Sequence, residues 1–294
     1  MEKMRVRLLS GILILLLTFA EAGETFAGDT DLDTPAPLLF GITPVFLVDQ
    51  NNFLAGWKAY LEKHLKRPVR FVRRRSYAEI SDMLLNGQLD AAWICTFPYV
   101  FNRTSLRLIA VPQFEGEPYY WSYLIVPASD RTTRGYEDLR GKVFAYAEPR
   151  SNTGYLYPRY VLKQLGEEAD GYFRKTFFTW SHPEVVKAVA DGLADAGAVD
   201  GYIWKVIRNK DPALANRTRV VNISQKFGFP PVVAGVFLDD EQLERLRGIL
   251  LSMHENPEGR SLLSQLLLDR FSEPREDIYN NITDIMETVF TVSE

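Results

Sequence analysis

Three consecutive side chains, Ser151-Asn152-Thr153, offer neutral hydrogen-bond donors to one small volume. They lie in the stretch Glu148-Pro149-Arg150-Ser151-Asn152-Thr153-Gly154, between an apolar run at 142–147 and a helical pattern. That pattern is carried by Tyr155, Leu156, Tyr160, Val161, Leu162 and Leu165 and stops at Gly166. The stretch therefore reads as a strand-to-helix turn. A helix start carries unpaired N–H groups and a partial positive charge, which together suit an anion. The competing reading is simple helix capping by Ser151 or Asn152.

The residues needed for other chemistries are scattered or missing. The three histidines, His64, His182 and His254, lie far apart, and Cys95 is the single cysteine. No HExxH, CxxC, GxSxG, P-loop or GxGxxG spacing occurs. No metal site, cofactor or internal disulfide is expected. Cys95 closes an apolar run at 89–95 and reads as a small buried hydrophobe.

Charge and composition narrow the partners. The chain has 294 residues, 46% hydrophobic and 24% charged, with a net charge of −4. These values suit a globular protein and give no electrostatic reason to bind nucleic acid. The short basic run Arg73-Arg74-Arg75 reads as a solvated edge. At the N-terminus, Lys3, Arg5 and Arg7 precede an apolar run at 8–20, and Thr25-Phe26-Ala27-Gly28 offers a cleavage point after Ala27. This is the layout of a secretory signal peptide, too short for a stable span of ~20 residues. Export through a secretory signal is the expectation.

The elements that must position the donors alternate strand and helix. Leu38-Leu39-Phe40-Gly41-Ile42 reads as a strand stopped at Thr43-Pro44. Phe53, Leu54, Trp57, Leu61 and Leu65 keep helical spacing. A strand at 69–72 follows, then a helix opened by the capping box Ser76-Tyr77-Ala78-Glu79. Asp90-Ala91-Ala92-Trp93-Ile94 is a buried strand, and Thr96-Phe97-Pro98-Tyr99 turns out of it. A further strand lies at 107–111, and a long strand-like run at 119–126 is placed to cross between lobes. Thr176 to Trp180, Ala194 to Val199, Thr218 to Ile223 and Val232 to Leu238 also read as strands. Ser181-His182-Pro183 opens a helix, and Asp200 ends the strand before the next one. Three helical patterns fill the tail. Such alternation predicts an open α/β sheet with parallel pairs, whose ligand crevice lies beyond the carboxyl ends of the strands.

At this point the chain resembles the phosphate/phosphite/phosphonate-binding family of ABC-importer periplasmic proteins. Four segments carry the resemblance: Phe40-Gly41-Ile42-Thr43-Pro44; Leu89-Asp90-Ala91-Ala92-Trp93-Ile94 through Pro98-Tyr99-Val100; Ser151-Asn152-Thr153-Gly154; and Ser181-His182-Pro183-Glu184-Val185-Val186-Lys187-Ala188-Val189 with Gly192, Asp195, Ala196, Gly197 and Asp200. The resemblance implies a two-lobed fold of type II kind, with mixed sheets flanked by helices and two crossover strands acting as a hinge. It implies a signal peptide at 1–27, a lead-in at 28–37, a first lobe at 38–124 and 223–294, and a second at 125–222. It places Tyr99, Ser151, Asn152, Thr153, His182 and Asp200 at the ligand. Asn152 stands where the family often has Thr, and Phe46 stands near the first turn where a polar contact is usual. The partners implied are a small oxyanion and a membrane permease, with the protein itself a monomer and not an enzyme.

Residue chemistry keeps alternatives beside each of these roles. Tyr99 could donate its hydroxyl or be a half-buried core residue. His182 could donate to an oxygen or cap its own helix. Asp200 could accept from a protonated oxyanion, pair with a ligand amine, or be a surface residue. An exported sensory module working with a membrane kinase is a second function. A hydrolase using Ser151, His182 and Asp200 is a third.

Overall fold

The computed structural model describes residues 35–43 and 51–290. The signal segment, most of the lead-in and Phe46 lie outside the described residues. In chain order the first half comprises β1 (Leu38–Ile42), α1 (Asn51–Leu65), β2 (Val69–Arg73), α2 (Tyr77–Leu85), β3 (Ala91–Trp93), α3 (Thr96–Phe101), β4 (Leu106–Gln113), β5 (Tyr119–Tyr120) and β6 (Ser122–Pro127). Next come β7 (Val143–Tyr146), α4 (Tyr157–Gln164), α5 (Ala169–Tyr172), β8 (Lys175–Phe178), α6 (His182–Ala190), β9 (Ala196–Asp200), α7 (Gly201–Lys210), α8 (Pro212–Ala215) and β10 (Thr218–Ile223). The chain closes with β11 (Phe227–Gly228), β12 (Val232–Gly235), α9 (Asp240–Leu251), α10 (Pro257–Gln265), β13 (Arg270–Ser272) and α11 (Asn280–Phe290).

These strands form two sheets and a ribbon. One sheet has the order β13-β4-β12-β3-β1-β2, the other β10-β6-β9-β7-β8. In each, the central strands are parallel: β1 with β2 and β3, and β7 with β8 and β9. Antiparallel β12 and β6 flank them. The ribbon pairs β5 with β11, Tyr120 opposite Phe227 and Tyr119 opposite Gly228. The run at 119–126 is thus two elements rather than one strand. β5 belongs to the ribbon and β6 to the second sheet, with Trp121 between them. Similarly β12 stops at Gly235, leaving Val236 and Phe237 exposed at 55% and 70%.

The apolar patterns read from the sequence account for the layers. Phe40, Trp57, Ile80, Trp93 and Ile109 form one buried cluster, which also takes Leu246, Leu250, Leu262 and Ile282 from the C-terminal helices. Of the tail helices, α9 packs on β4 and β13 of the first sheet and α10 against α1, whereas α11 lies against α3 and α4. That same cluster includes Leu156 and Tyr202 from the other lobe, so the two lobes are closed on each other. The second sheet buries its own faces against α6 (Val185, Val186, Val189) and against Tyr136, Leu162 and Phe173.

Gly197 sets how closely α6 approaches β9. A Cβ there would sit 2.6 Å from Val185 Cγ1 and 3.1 Å from the Ala145 carbonyl oxygen. Backbone cannot yield as a flexible side chain would. Gly197→Ala should therefore destabilise the protein by about 1–3 kcal/mol. A urea titration of the purified variant checks this, and an unchanged midpoint would mean that α6 shifts freely.

Candidate functional site

Five strand ends converge. The turn after β7 carries Glu148 to Thr153, β9 ends on Asp200, and α6 after β8 begins with His182. From the other lobe, β3 is followed by Cys95 and Thr96, and α2 begins at Tyr77. All of these sit at the carboxyl ends of parallel strands or at helix starts facing them, where an open α/β sheet places its ligand.

The Ser151 turn is built more tightly than the sequence suggests. Residues Asn152–Leu156 wind as a single π-helical turn before α4 begins at Tyr157. Leu156 N–H bonds to the Ser151 carbonyl at 3.0 Å, and Tyr157 N–H to that of Asn152. Such wide turns recur at functional sites. Ser151 Oγ accepts from Gly154 N–H at 3.0 Å, so the capping reading is correct as far as it goes. Gly154 is required there, because a Cβ would lie 2.5 Å from Ala147 Cβ and 3.0 Å from the His182 ring. Ser122, at the start of β6 beside the ribbon, donates its hydroxyl to the Thr153 carbonyl at 2.6 Å.

His182 does not cap its helix. Ser181 does, accepting from Glu184 N–H at 3.4 Å. The imidazole is instead buried and held at both nitrogens. Nδ1 accepts from Asp200 N–H at 3.0 Å, and Nε2 lies 3.3 Å from Ser151 Oγ. Burial lowers its pKa to about 3, so the ring is neutral. A neutral ring that accepts at Nδ1 carries its hydrogen on Nε2 and donates it toward Ser151. Ser151 Oγ then receives two donors, from Gly154 and His182, and its own O–H is left to point elsewhere.

Asp200 is 2% exposed. Its carboxylate caps α7, accepting from Tyr202 N–H at 2.8 Å and Ile203 N–H at 3.4 Å. Burial raises its pKa to about 7, against the lowering effect of those two N–H groups. The surface reading of Asp200 is therefore overturned.

Asn152 bridges to the first lobe. Its Nδ2 donates to the Tyr120 hydroxyl at 3.1 Å, and its backbone N–H points at Cys95 Sγ at 3.5 Å. The Tyr120 hydroxyl is also bonded to Thr96 Oγ1. Cys95 is buried as expected, with its thiol pushed up to about 11 by burial. Three polar atoms around this turn are buried without a partner: Asn152 Oδ1, Thr153 Oγ1 and the Tyr77 hydroxyl. Burial raises the Tyr77 phenol well above its usual pKa, and Cys95, Glu148, Asp200 and Tyr120 add to the effect, which sets it among these groups.

Of the residues expected at the ligand, Ser151, Asn152, Thr153, His182 and Asp200 are brought together. Tyr99 is placed otherwise. Its ring meets Tyr279 edge-on at 4.9 Å, and burial raises its pKa to about 12 with Glu276 and Arg103 as the acting charges. Tyr77 and Tyr120 stand in the cluster instead. Neither was singled out from the sequence, where Tyr77 is simply the first residue inside a capping box and Tyr120 one of several aromatics in a strand. Among the described residues, no group of three or more His, Cys, Asp or Glu is placed to hold a metal ion. No described helix is long and apolar enough to cross a membrane.

Two α/β sheets closed on each other, joined by a two-stranded ribbon and meeting at a buried polar cluster, define a two-lobed periplasmic-binding-protein fold. The chain belongs to the family described as ABC transporter, phosphonate, periplasmic substrate-binding protein, whose model matches residues 40–279. The phosphate-import protein PhnD of Mycolicibacterium smegmatis is 29% identical over 199 residues, 64% of this chain and 62% of that relative, so the match spans less than two thirds of the relative's length. The binding-protein component of an ABC phosphonate transporter from Pseudomonas aeruginosa has a TM-score of 0.78 at 23% identity, over 85% of this chain and 86% of that one. PhnD1 from Prochlorococcus marinus, in complex with methylphosphonate, has a TM-score of 0.77 at 22% identity, over 86% and 97%. At these identities the two structures speak for the fold alone.

Proposed function

We propose that this protein captures a phosphonate-, phosphite- or phosphate-type oxyanion between its lobes and delivers it to an ABC-importer permease, working in the periplasm as a monomer. The observation that carries this reading is the free Ser151 hydroxyl hydrogen beside the unpartnered Thr153 and Tyr77 hydroxyls. Three hydroxyls that lack acceptors in a buried cluster await a guest rich in oxygen. Hydrogen bonds from such donors to a charged group are worth about 1.5–3 kcal/mol each. All are neutral, which suits reversible capture and release.

The same geometry argues against a hydrolase. A triad would need His182 Nε2 free of its proton to accept one from Ser151. Here Nδ1 is occupied by the Asp200 backbone N–H, and the Asp200 carboxylate faces α7 instead of the imidazole. The ring therefore donates toward Ser151 and has no base to offer it.

Thermal unfolding with phosphate, phosphite, methylphosphonate, aminoethylphosphonate and sulfate tests the reading. At 100 times its dissociation constant a ligand should stabilise the protein by about 2.7 kcal/mol. Ser151→Ala should weaken the best ligand by roughly tenfold to a hundredfold. Absence of any shift across the panel would refute the proposal.

A further inference from the structure

We propose that the Asn152 side-chain carbonyl reads a hydrogen carried by the ligand, so that the site takes tetrahedral anions bearing a P–OH group and rejects isosteric anions without one. The inference rests on the oxyanion reading above and assigns the residue that discriminates within that class.

The hydroxyls of Ser151, Thr153 and Tyr77 can turn their hydrogens toward any acceptor, and so satisfy a fully deprotonated anion as well as a protonated one. The Asn152 carbonyl cannot adapt in this way. Its amide orientation is held by the Nδ2–H bond to the Tyr120 hydroxyl, which is in turn joined to Thr96. Oδ1 is left buried and without a partner. A buried acceptor lacking a donor costs free energy, and a ligand that brings only lone pairs leaves that cost standing. A ligand with a P–OH group removes it. No arginine or lysine side chain joins the hydrogen bonds of Ser151, Asn152 or Thr153 among the described residues, so bulk charge attraction does not blur the choice.

Methylphosphonate and methanesulfonate make the test, because near pH 5.5 they share charge and shape and differ by one hydroxyl hydrogen. Isothermal titration of the purified protein should show methanesulfonate binding about a hundredfold more weakly or not at all. Asn152→Ala should weaken methylphosphonate by about tenfold or more and leave methanesulfonate unchanged or tighter, so that the ratio between them shrinks. Asn152→Thr, which keeps a polar group, guards against a loss that is only structural and should also narrow the ratio. Equal affinity for both ligands in the unaltered protein would overturn the inference. So would a ratio unmoved by either variant, which would mean that the amide is turned with its NH₂ toward the ligand. Should neither these ligands nor phosphate bind, the oxyanion reading itself would fall and take the inference with it.

Discussion

Asp200→Asn should make the unliganded protein more stable at pH 8 than the unaltered chain, by on the order of 4 kcal/mol, while the two differ little near pH 4. The sign follows from burial. The folded carboxyl titrates at about 7 against an ordinary value of 3.8. Between those values the folded state holds a proton that the unfolded chain releases, so rising pH erodes stability. The loss is absent below the unfolded value and complete above the folded one. Asparagine keeps an oxygen for the N–H groups of Tyr202 and Ile203, so the α7 cap survives, and it has no proton to lose. His182 works in the opposite direction, since a pKa of about 3 costs stability as pH falls from 6.5 through that value. It is present in both proteins, so the difference between their denaturation curves isolates Asp200. A difference independent of pH from 4 to 8 would show that the carboxyl is hydrated and its burial overstated.

How much of this was legible beforehand divides along sequence distance. The Ser151 turn, the Ser76 capping box and the Asp200 strand end each depend on neighbours within a few residues, and local spacing exposed them. Cys95 was legible as buried because it ends an apolar run. The π-helical winding after Ser151 was not, because the same apolar pattern fits an ordinary first turn. Tyr99 is expected at the ligand, but its neighbours are set at long range. The short α3 directs it against Tyr279, which lies 180 residues further along. Tyr77, Tyr120 and Glu148 gain their surroundings only when the lobes meet. Tyr77 bonds to a group 71 residues away and Tyr120 to one 32 away, and no periodicity encodes such pairings.

Glu148 carries the second large effect. Its carboxylate belongs to the second lobe and is 1% exposed. One oxygen accepts from Tyr77 N–H of the first lobe at 3.1 Å, the other from Arg150 N–H at 2.5 Å. Tyr77 is the first residue of α2, so a negative charge meets a helix N-terminus across the cleft. Burial raises the Glu148 pKa, and the two N–H groups act against that rise. Closure therefore removes water from a carboxylate and offsets the cost with a bond that exists only when the lobes are together. Such a bond should act on release: in an open molecule both partners return to water. Glu148→Ala should speed ligand dissociation by about tenfold to a hundredfold, with association nearly unchanged. Glu148→Asp separates reach from charge. It keeps the carboxylate but is one methylene shorter, and should release ligand faster than the unaltered protein, as the alanine variant does. Stopped-flow displacement of bound phosphate or methylphosphonate measures both. If the aspartate variant releases ligand at the unaltered rate, charge near α2 suffices and the Tyr77 hydrogen bond is not the latch. If the alanine variant does so too, the contact contributes nothing to holding the lobes shut.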